Sequence, residues 1–157
     1  MANIDGNIKN ASDTFLMARR IVIKVGSSLL IEPNTNEVNK KWLKSLAADV
    51  KHLIDVGKQV IIVSSGAVAL GLEKIGLERK NAKVAQLQAA ASIGQIMLMT
   101  SYVDIFTSHD LFVSQVLLTL DAIDDRRRYI NSLNTLNYLL DVGAIPVVNE
   151  NDTTATV

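Results

Sequence analysis

The chain has 157 residues, of which 48% are hydrophobic, and this is enough for one α/β domain with a buried core. Sixteen basic and sixteen acidic residues cancel, so no net field favours nucleic acid or an anionic membrane surface as a partner. Cysteine is absent, which excludes disulfides, thiolate catalysis and cysteine-ligated metals and agrees with a reducing, cytoplasmic location. We predict no metal-ligating residues.

The start of the chain is predicted to be a flexible lead-in over residues 1–19. These residues are mostly polar, and their one apolar patch, residues 15–18 (FLMA), is too short for a signal-peptide core. Elsewhere no apolar stretch approaches the roughly 20 residues that cross a bilayer, because Lys24, Ser64 and Gly94 interrupt the richest runs. The sequence therefore predicts a soluble protein without a membrane partner.

The first half of the chain alternates predicted strands and helices. Residues 20–25 (RIVIKV) predict a buried strand that meets a glycine turn. Residues 38–56 place apolar side chains on one helical face, and Gly57 ends that helix. Residues 58–63 predict a second strand, and residues 67–75 predict a helix that begins almost at once after it.

The second half repeats this alternation. Residues 83–106 predict a long helix with Gly94 inside it, where a glycine costs about 1 kcal/mol unless another element packs against it. Residues 111–118 predict a third strand, residues 124–141 a helix, and residues 144–148 a fourth strand. Alternation of this kind implies a mainly parallel sheet with helices on both faces.

Polar segments stand where three of these strands end. They are residues 24–28 (KVGSS), 64–67 (SSGA) and 149–152 (NEND). Because ligands gather at the carboxyl ends of parallel strands, we expect the three segments to form one site. No predicted helix follows the fourth strand before Val157, so we also expect the chain to be part of a larger domain.

Each segment has a functional and a structural interpretation. Lys24 either reaches solvent or neutralises an anion, and the amides near Gly26 can hold phosphate oxygens. Ser65 precedes a helix whose free N–H groups suit an anion, although a serine there can simply cap the helix. Residues 149–152 suit an α-ammonium group, but acidic surface turns have the same composition, and a magnesium site is the weaker interpretation.

Residues 124–128 (DDRRR) stand at a predicted helix start. Acidic side chains at that position suit the helix dipole, so we interpret the segment as a solvated helix start and assign it no catalysis. The sequence has no phosphate-binding P-loop, no dinucleotide-binding glycine turn and no nucleophile elbow. The sequence therefore gives no support to the common enzyme classes that carry these three motifs.

Four segments together resemble the glutamate 5-kinase family, which belongs to the amino acid kinases. They are residues 21–30 (IVIKVGSSLL), 60–71 (VIIVSSGAVALG), 124–136 (DDRRRYINSLNTL) and 145–156 (IPVVNENDTTAT). The resemblance implies a three-layer αβα fold that is incomplete at its carboxyl end. It also implies that residues 20–157 are the N-terminal, substrate-binding part of an amino acid kinase domain.

The resemblance further implies an activity and a set of site residues. The activity is transfer of the γ-phosphoryl group of ATP, with Mg²⁺, to the side-chain carboxylate of L-glutamate, the first step of proline synthesis. Lys24 is implied as the catalytic lysine that contacts phosphate, with Gly26 and Ser27 beside it. The implied substrate-binding residues are Ser65, Gly66, Ala67, Asn149, Asn151 and Asp152. Among them, Asp152 is implied to hold the substrate amine.

The partners implied by the resemblance are other copies of the chain in a homo-oligomer, proline as feedback inhibitor, and glutamyl phosphate reductase. In the family the chain continues into an ATP-binding region with a second essential lysine and often into an accessory domain, none of which this sequence contains. Two alternatives stay open. One is a truncated, inactive domain that binds an amino acid, and the other is a related kinase that acts on another carboxylate or on carbamate.

Overall fold

The alternation of strands and helices is confirmed in a computed structural model, which describes residues 11–119 and 125–153. The helices are α1 (Ala11–Met17), α2 (Ser27–Leu30), α3 (Lys40–Asp55), α4 (Ala67–Lys74), α5 (Val84–Thr107) and α6 (Arg126–Asp141). The strands are β1 (Arg20–Val25), β2 (Gln59–Ser64), β3 (Val113–Leu118) and β4 (Ile145–Glu150). A short 3₁₀ turn, Arg79–Asn81, lies between α4 and α5.

The four strands form one parallel sheet in the order β1-β2-β4-β3. In the pairing of β1 with β2, Arg20 lies opposite Gln59 and Val25 opposite Ser64. β4 pairs with β2 on one side and with β3 on the other, again in parallel. Because all pairs are parallel, the four carboxyl ends lie at the same edge of the sheet, as predicted.

The two faces of the sheet are packed unequally. On one face, α3 and α5 enclose a large apolar core that includes Val60, Ile62 and Val147 of the sheet. On the other face, α6 places Leu136 and Leu140 in a much smaller cluster with side chains of β2, β3 and β4. Successive side chains of a strand point to opposite faces, which keeps the two clusters apart. The prediction of helices on both faces is therefore confirmed.

Strand β1 departs from the prediction of a buried strand. Ile21 and Ile23 are half-buried, whereas Val22 is 60% exposed and Lys24 is also exposed. The reason is the position of β1 at the edge of the sheet, since α6 packs over β4 instead. The prediction that this strand is buried was wrong for the face that carries Lys24.

Helices α4 and α5 touch through their backbones. A Cβ atom added at Gly94 would lie 1.8 Å from the carbonyl oxygen of Ala67, and one added at Gly71 would lie 1.8 Å from that of Ala90. The prediction that another element presses against Gly94 is therefore confirmed, whereas the reciprocal contact at Gly71 was not predicted. Since Ala67 closes the SSGA segment, this crossing fixes that segment against α5.

Helix α5 corrects a second prediction. It has 24 residues, and by length and composition alone it could cross a membrane, which the sequence analysis had excluded. Gly94 does not interrupt it, because the close contact with α4 occurs within an unbroken helix. The helix packs against α4, α3 and β3, so within this fold it serves as a core helix.

Helix α1 lies inside the predicted lead-in of residues 1–19. The ammonium group of Lys58 donates hydrogen bonds to the carbonyl oxygens of Leu16 (2.8 Å) and Ala18 (2.7 Å) and lies 5.9 Å from the centre of the Phe15 ring. A lysine at the carboxyl end of a helix can donate hydrogen bonds to the last carbonyl groups, and its positive charge interacts favourably with the negative end of the helix dipole. Lys58 thus holds α1 beside the start of β2. Residues 1–10 lie outside the described residues.

Candidate functional site at the carboxyl edge of the sheet

A cavity of about 310 Å³ opens at the carboxyl ends of β2, β3 and β4. Apolar strand side chains and polar side chains of the SSGA and NEND segments share its lining: Val63, Ser64, Ser65, Leu118, Thr119, Val148, Asn149 and Glu150. Small-molecule sites commonly combine an apolar wall with a few placed polar groups. Two of the three predicted segments therefore contribute directly to one cavity.

Lys24 lies beside this cavity and is not part of its lining. In the register of the sheet it pairs with Val63, which does line the cavity. Paired residues of neighbouring strands project from the same face, so Lys24 projects from the face of Val63, which α6 covers farther along the sheet. Its side chain is exposed, and it forms no salt bridge with any residue in ranges 11–119 and 125–153. The ammonium group is therefore accessible to an anion.

Gly26 and Ser27 join β1 to the short helix α2. Gly26 has an extended backbone and immediately precedes Ser27, the first helical residue. The first N–H groups of a helix have no partner within it, so this turn presents backbone donors next to Lys24. A Cβ added at Gly66 would lie 3.5 Å from the Cβ of Ser27. The segments that follow β1 and β2 are thus in contact.

The SSGA segment is fixed by contacts with three neighbours. The hydroxyl of Ser65 donates a hydrogen bond to the carbonyl oxygen of Val25 at 3.1 Å. Gly66 has a φ of 110°, a left-handed conformation that favours glycine, and a Cβ there would also approach Ile31 to 3.1 Å. Ala67 is buried, and its carbonyl oxygen meets Gly94.

The helix-capping interpretation of Ser65 is contradicted. The residue that precedes α4 is Gly66, and no side chain caps this helix. The Ser65 hydroxyl instead ties the SSGA segment to the end of β1. While that bond is made, the Ser65 oxygen can only accept a hydrogen bond from a ligand.

Asn149 is 8% exposed and lines the cavity. Its Nδ2 group donates a hydrogen bond to Oε1 of Gln95 at 2.9 Å. Gln95 follows Gly94 on α5, so two adjacent residues of this helix contact the SSGA and NEND segments. Gln95 was not predicted as a residue of this site, because it stands 54 residues from Asn149 in the sequence. The only local signal was the glycine beside it.

Asn151 and Asp152 follow β4 and lie outside the cavity lining. The backbone N–H of Asn151 donates a hydrogen bond to the carbonyl oxygen of Leu118 at 2.8 Å, which ties the segment to the end of β3. Burial raises the pKa of Asp152, and the charge of Glu150 raises it further, while Arg79 opposes both effects. This carboxyl group therefore lies in a partly desolvated, negative environment. Arg79 was also missed by the sequence analysis.

Tyr102 makes a second contact between α5 and the SSGA segment. Its hydroxyl donates a hydrogen bond to Oγ of Ser64 at 3.2 Å, and both side chains are buried. Burial raises the pKa of Tyr102, although the bond to Ser64 lowers it in part. Tyr102 is thus neutral at physiological pH, and its hydroxyl is bonded to Ser64, which lines the cavity.

Asp125 begins α6 as a helix cap. Its Oδ1 accepts hydrogen bonds from the N–H groups of Arg128 and Arg127, each at 2.9 Å, and these bonds lower its pKa. The interpretation of this segment as a solvated helix start is confirmed for Asp125, whereas Asp124 lies outside the described residues. Within the part of the chain that the structure describes, no three acidic or histidine side chains group to hold a metal ion.

Comparisons with known proteins agree with the resemblance seen in the four segments. Residues 19–157 match the amino acid kinase family. The chain is 50% identical over 139 residues to glutamate 5-kinases of Ruegeria sp. (strain TM1040) and of Paramagnetospirillum magneticum (strain ATCC 700264 / AMB-1). Each match covers 88% of this chain but only 38% and 37% of those relatives. The chain therefore spans little more than a third of their length.

Two solved structures share the fold. UMP kinase from Bacillus anthracis has a TM-score of 0.50 at 21% identity, over 83% of this chain and 52% of that chain. Isopentenyl phosphate kinase has a TM-score of 0.54 at 11% identity, over 83% of this chain and 56% of that chain. At such identities the likeness concerns the fold alone, and it confirms the predicted α/β class.

Proposed function

Because the chain belongs to the amino acid kinase family, we propose that it carries the glutamate site of an ATP-dependent glutamate 5-kinase. The observation that carries this proposal is one cavity at the carboxyl edge of the sheet, lined by Ser65 and Asn149, with Lys24 beside it on the face of the cavity-lining Val63. The relatives named glutamate 5-kinase support the choice of substrate. Residues 20–157 would be the N-terminal, substrate-binding part of the kinase domain.

Hydrogen-bond acceptors around the cavity suit the α-ammonium group of glutamate. The Ser65 oxygen can only accept while its proton is donated to Val25. Asp152 has a raised pKa because it is partly buried near Glu150, and a cation bound there would relieve both effects. We assign the ammonium group to Asp152 and to the amide oxygens of Asn149 and Asn151.

The start of α4 suits the α-carboxylate of the same ligand. Gly66 and Ala67 open this helix, and the first N–H groups of a helix attract anions. The left-handed Gly66 lets the backbone turn at this point without a side chain in the way. A substrate with an ammonium group and a carboxylate would thus meet acceptors after β4 and donors after β2.

Lys24, Gly26 and Ser27 fit the phosphate end of ATP. Lys24 is exposed and forms no salt bridge within residues 11–119 and 125–153, and the turn at Gly26 presents the first N–H groups of α2. ATP supplies the phosphoryl group, and Mg²⁺ would reach the site with the phosphates, since it usually binds few protein carboxylates. Lys24 would neutralise charge on the transferred group.

The reaction requires positioning and charge neutralisation more than proton transfer. The side-chain carboxylate of glutamate is already ionised at neutral pH. One of its oxygens forms a bond to the γ-phosphorus while the bond to the β-phosphate oxygen breaks in line, which gives the acyl phosphate and ADP. A site without cysteine or a catalytic histidine is compatible with this chemistry.

The wider biological setting follows from the resemblance and belongs to the same proposal. We assign the reaction to the first step of proline synthesis in the cytoplasm, with proline as feedback inhibitor. A homo-oligomer is expected, and glutamyl phosphate reductase would accept the unstable product. The second candidate is a domain that binds glutamate without phosphorylating it, for which the cavity lined by Ser65 and Asn149 would be sufficient.

The test is glutamate-dependent formation of ADP, with the acyl phosphate trapped by hydroxylamine. The protein is used as its gene encodes it, and aspartate and carbamate are offered as competing substrates. We expect Lys24→Ala to lower kcat by about 100-fold or more, because a charged group next to the reacting phosphate is lost. The control is Lys44→Ala, which removes an exposed lysine from α3.

Two results would contradict the proposal. Equal turnover of Lys24→Ala and wild type would remove the lysine from the reaction. Faster phosphorylation of aspartate or carbamate than of glutamate would assign the chain to a different substrate. Glutamate binding without any hydroxamate product would favour the second candidate.

A further inference from the structure

Two adjacent residues of α5 contact both segments that would bind glutamate. The backbone of Gly94 packs against the carbonyl oxygen of Ala67, the last residue of the SSGA segment. A Cβ atom at Gly94 would lie only 1.8 Å from that oxygen. Gln95 accepts the hydrogen bond from Asn149, which begins the NEND segment. Because the backbone contact fixes α5 against the first segment, Gln95 holds the second segment at a set position relative to it.

The direction of the hydrogen bond determines what Asn149 offers to a ligand. Its Nδ2 group donates to Gln95, and the same side chain lines the cavity. This bond uses one of the two N–H groups of Nδ2, so Oδ1 is left to accept a hydrogen bond from a ligand and the second N–H is left to donate one. We infer that Gln95 is a positioning residue, which acts through Asn149 to present an acceptor oxygen to the substrate's α-ammonium group. This inference rests on the proposed function.

Stability alone does not account for a glutamine at this position. Within the described ranges, Nε2 of Gln95 is buried and has no hydrogen-bond partner. A buried N–H group without a partner destabilises the folded state, and an apolar side chain of similar length would avoid that cost. Replacement by methionine removes this unpaired N–H group but leaves Nδ2 of Asn149 without its acceptor, so the two effects oppose each other and the melting temperature should change little.

The inference predicts an effect on binding and not on chemistry. The ammonium group of glutamate is separated from the reacting carboxylate by the carbon chain of the substrate. Misplacement of Asn149 should thus weaken glutamate binding and raise the glutamate KM, while kcat and the KM for ATP change little. A purely structural defect would instead lower the melting temperature and kcat as well.

The experiment compares four forms of the intact protein by calorimetric titration with L-glutamate, steady-state kinetics and thermal melting. We expect Gln95→Met to bind glutamate about fivefold more weakly, the loss of one net hydrogen bond. Gln95→Glu retains an acceptor oxygen for Asn149 and should stay within about twofold of wild type. The control is Ser101→Ala, which removes a side-chain hydrogen bond on the same helix, to the carbonyl oxygen of Met97.

A double variant tests whether Gln95 acts through Asn149. Once Asn149→Ala has removed the amide, Gln95→Met should weaken binding no further, because the two residues act as one unit. Independent, additive losses would overturn the inference. If Gln95→Met does not fold, Gln95→Leu also removes the acceptor, and we expect it to weaken glutamate binding by the same factor.

Failure of the inference can be distinguished from failure of the proposed function. Wild type that binds no glutamate would refute the proposed function and the inference with it. Wild type that binds glutamate, together with Gln95→Met that binds it equally well, would refute the inference alone. A fall in kcat and melting temperature without a change in affinity would assign Gln95 a structural role and also overturn the inference.

Discussion

The two faces of the sheet differ in how tightly they are packed. On the face covered by α3 and α5, fully buried side chains such as Leu98 form the main core. On the face covered by α6, the small cluster has three buried residues within ranges 11–119 and 125–153, namely Ile61, Leu140 and Val148, and this face ends at the candidate cavity. A large core on one side therefore allows the other side to remain partly open at the carboxyl edge.

Helix α5 belongs to the core face but also reaches the site. Its glycine contact holds the SSGA segment, and Gln95 and Tyr102 hold Asn149 and Ser64. Changes at the α5 residues that are buried in the core or touch α4 should therefore affect stability strongly, and changes at the residues beside the cavity should affect ligand binding more than stability. The following variants test this division, from the largest expected effect on stability to the smallest.

Gly94→Ala is expected to have the largest effect on stability. Its Cβ would lie 1.8 Å from a backbone oxygen, so α4 and α5 must separate, and we expect a loss of about 3 kcal/mol or more in the free energy of unfolding. Urea denaturation measures this loss. Gly26→Ala is the matched control, since the nearest atom to its Cβ would be Oγ of Ser28 at 3.9 Å. A loss below about 1 kcal/mol for Gly94→Ala would refute the close crossing.

Truncation of one leucine on each face compares the two cores directly. Leu98 is completely buried in the main core, and we expect Leu98→Ala to lower the free energy of unfolding by about 3 kcal/mol. Leu136 is only partly buried in the small cluster, and Leu136→Ala should cost about 1 kcal/mol. Equal losses in urea denaturation would show that the two faces contribute alike.

Asp152→Asn should have the smallest effect on stability and should slightly raise the melting temperature at pH 7. Burial and the charge of Glu150 raise the pKa of Asp152 above its usual value. Ionisation of this carboxyl thus destabilises the folded state, and the penalty grows as the pH rises through the raised pKa. The advantage of the variant should shrink as the pH falls below that range. Thermal melts between pH 4 and pH 8 measure it, and a lower melting temperature at every pH would contradict this account.

Local sequence patterns were sufficient to predict the four strands, the four longer helices and the edge of the sheet at which the cavity opens, but not α1 or α2. Apolar periodicity gave the strands and helices to within a few residues, because each element must present an apolar face to the core. Gly94 inside a helix correctly indicated a close neighbour. The polar segments after β2 and β4 line one cavity, because parallel strands end at the same edge.

Long-range contacts were not predictable from such patterns. The strand order puts β1 at the edge, which exposes Val22 although its sequence is that of a buried strand. The bond between Gln95 and Asn149 joins residues 54 positions apart, and no local signal specifies such a pair. The charge of Arg79 lowers the pKa of Asp152 although Arg79 lies in the distant 3₁₀ turn before α5. These features depend on tertiary packing and not on periodicity.

The glutamate KM of Asp152→Asn, compared with that of wild type in the intact protein, tests the central claim most directly. If this carboxylate holds the substrate ammonium group, the KM for glutamate should rise about tenfold or more, with the KM for ATP unchanged. The same melts at pH 7 show that the variant is folded. An unchanged glutamate KM would contradict the claim that the loop after β4 binds glutamate.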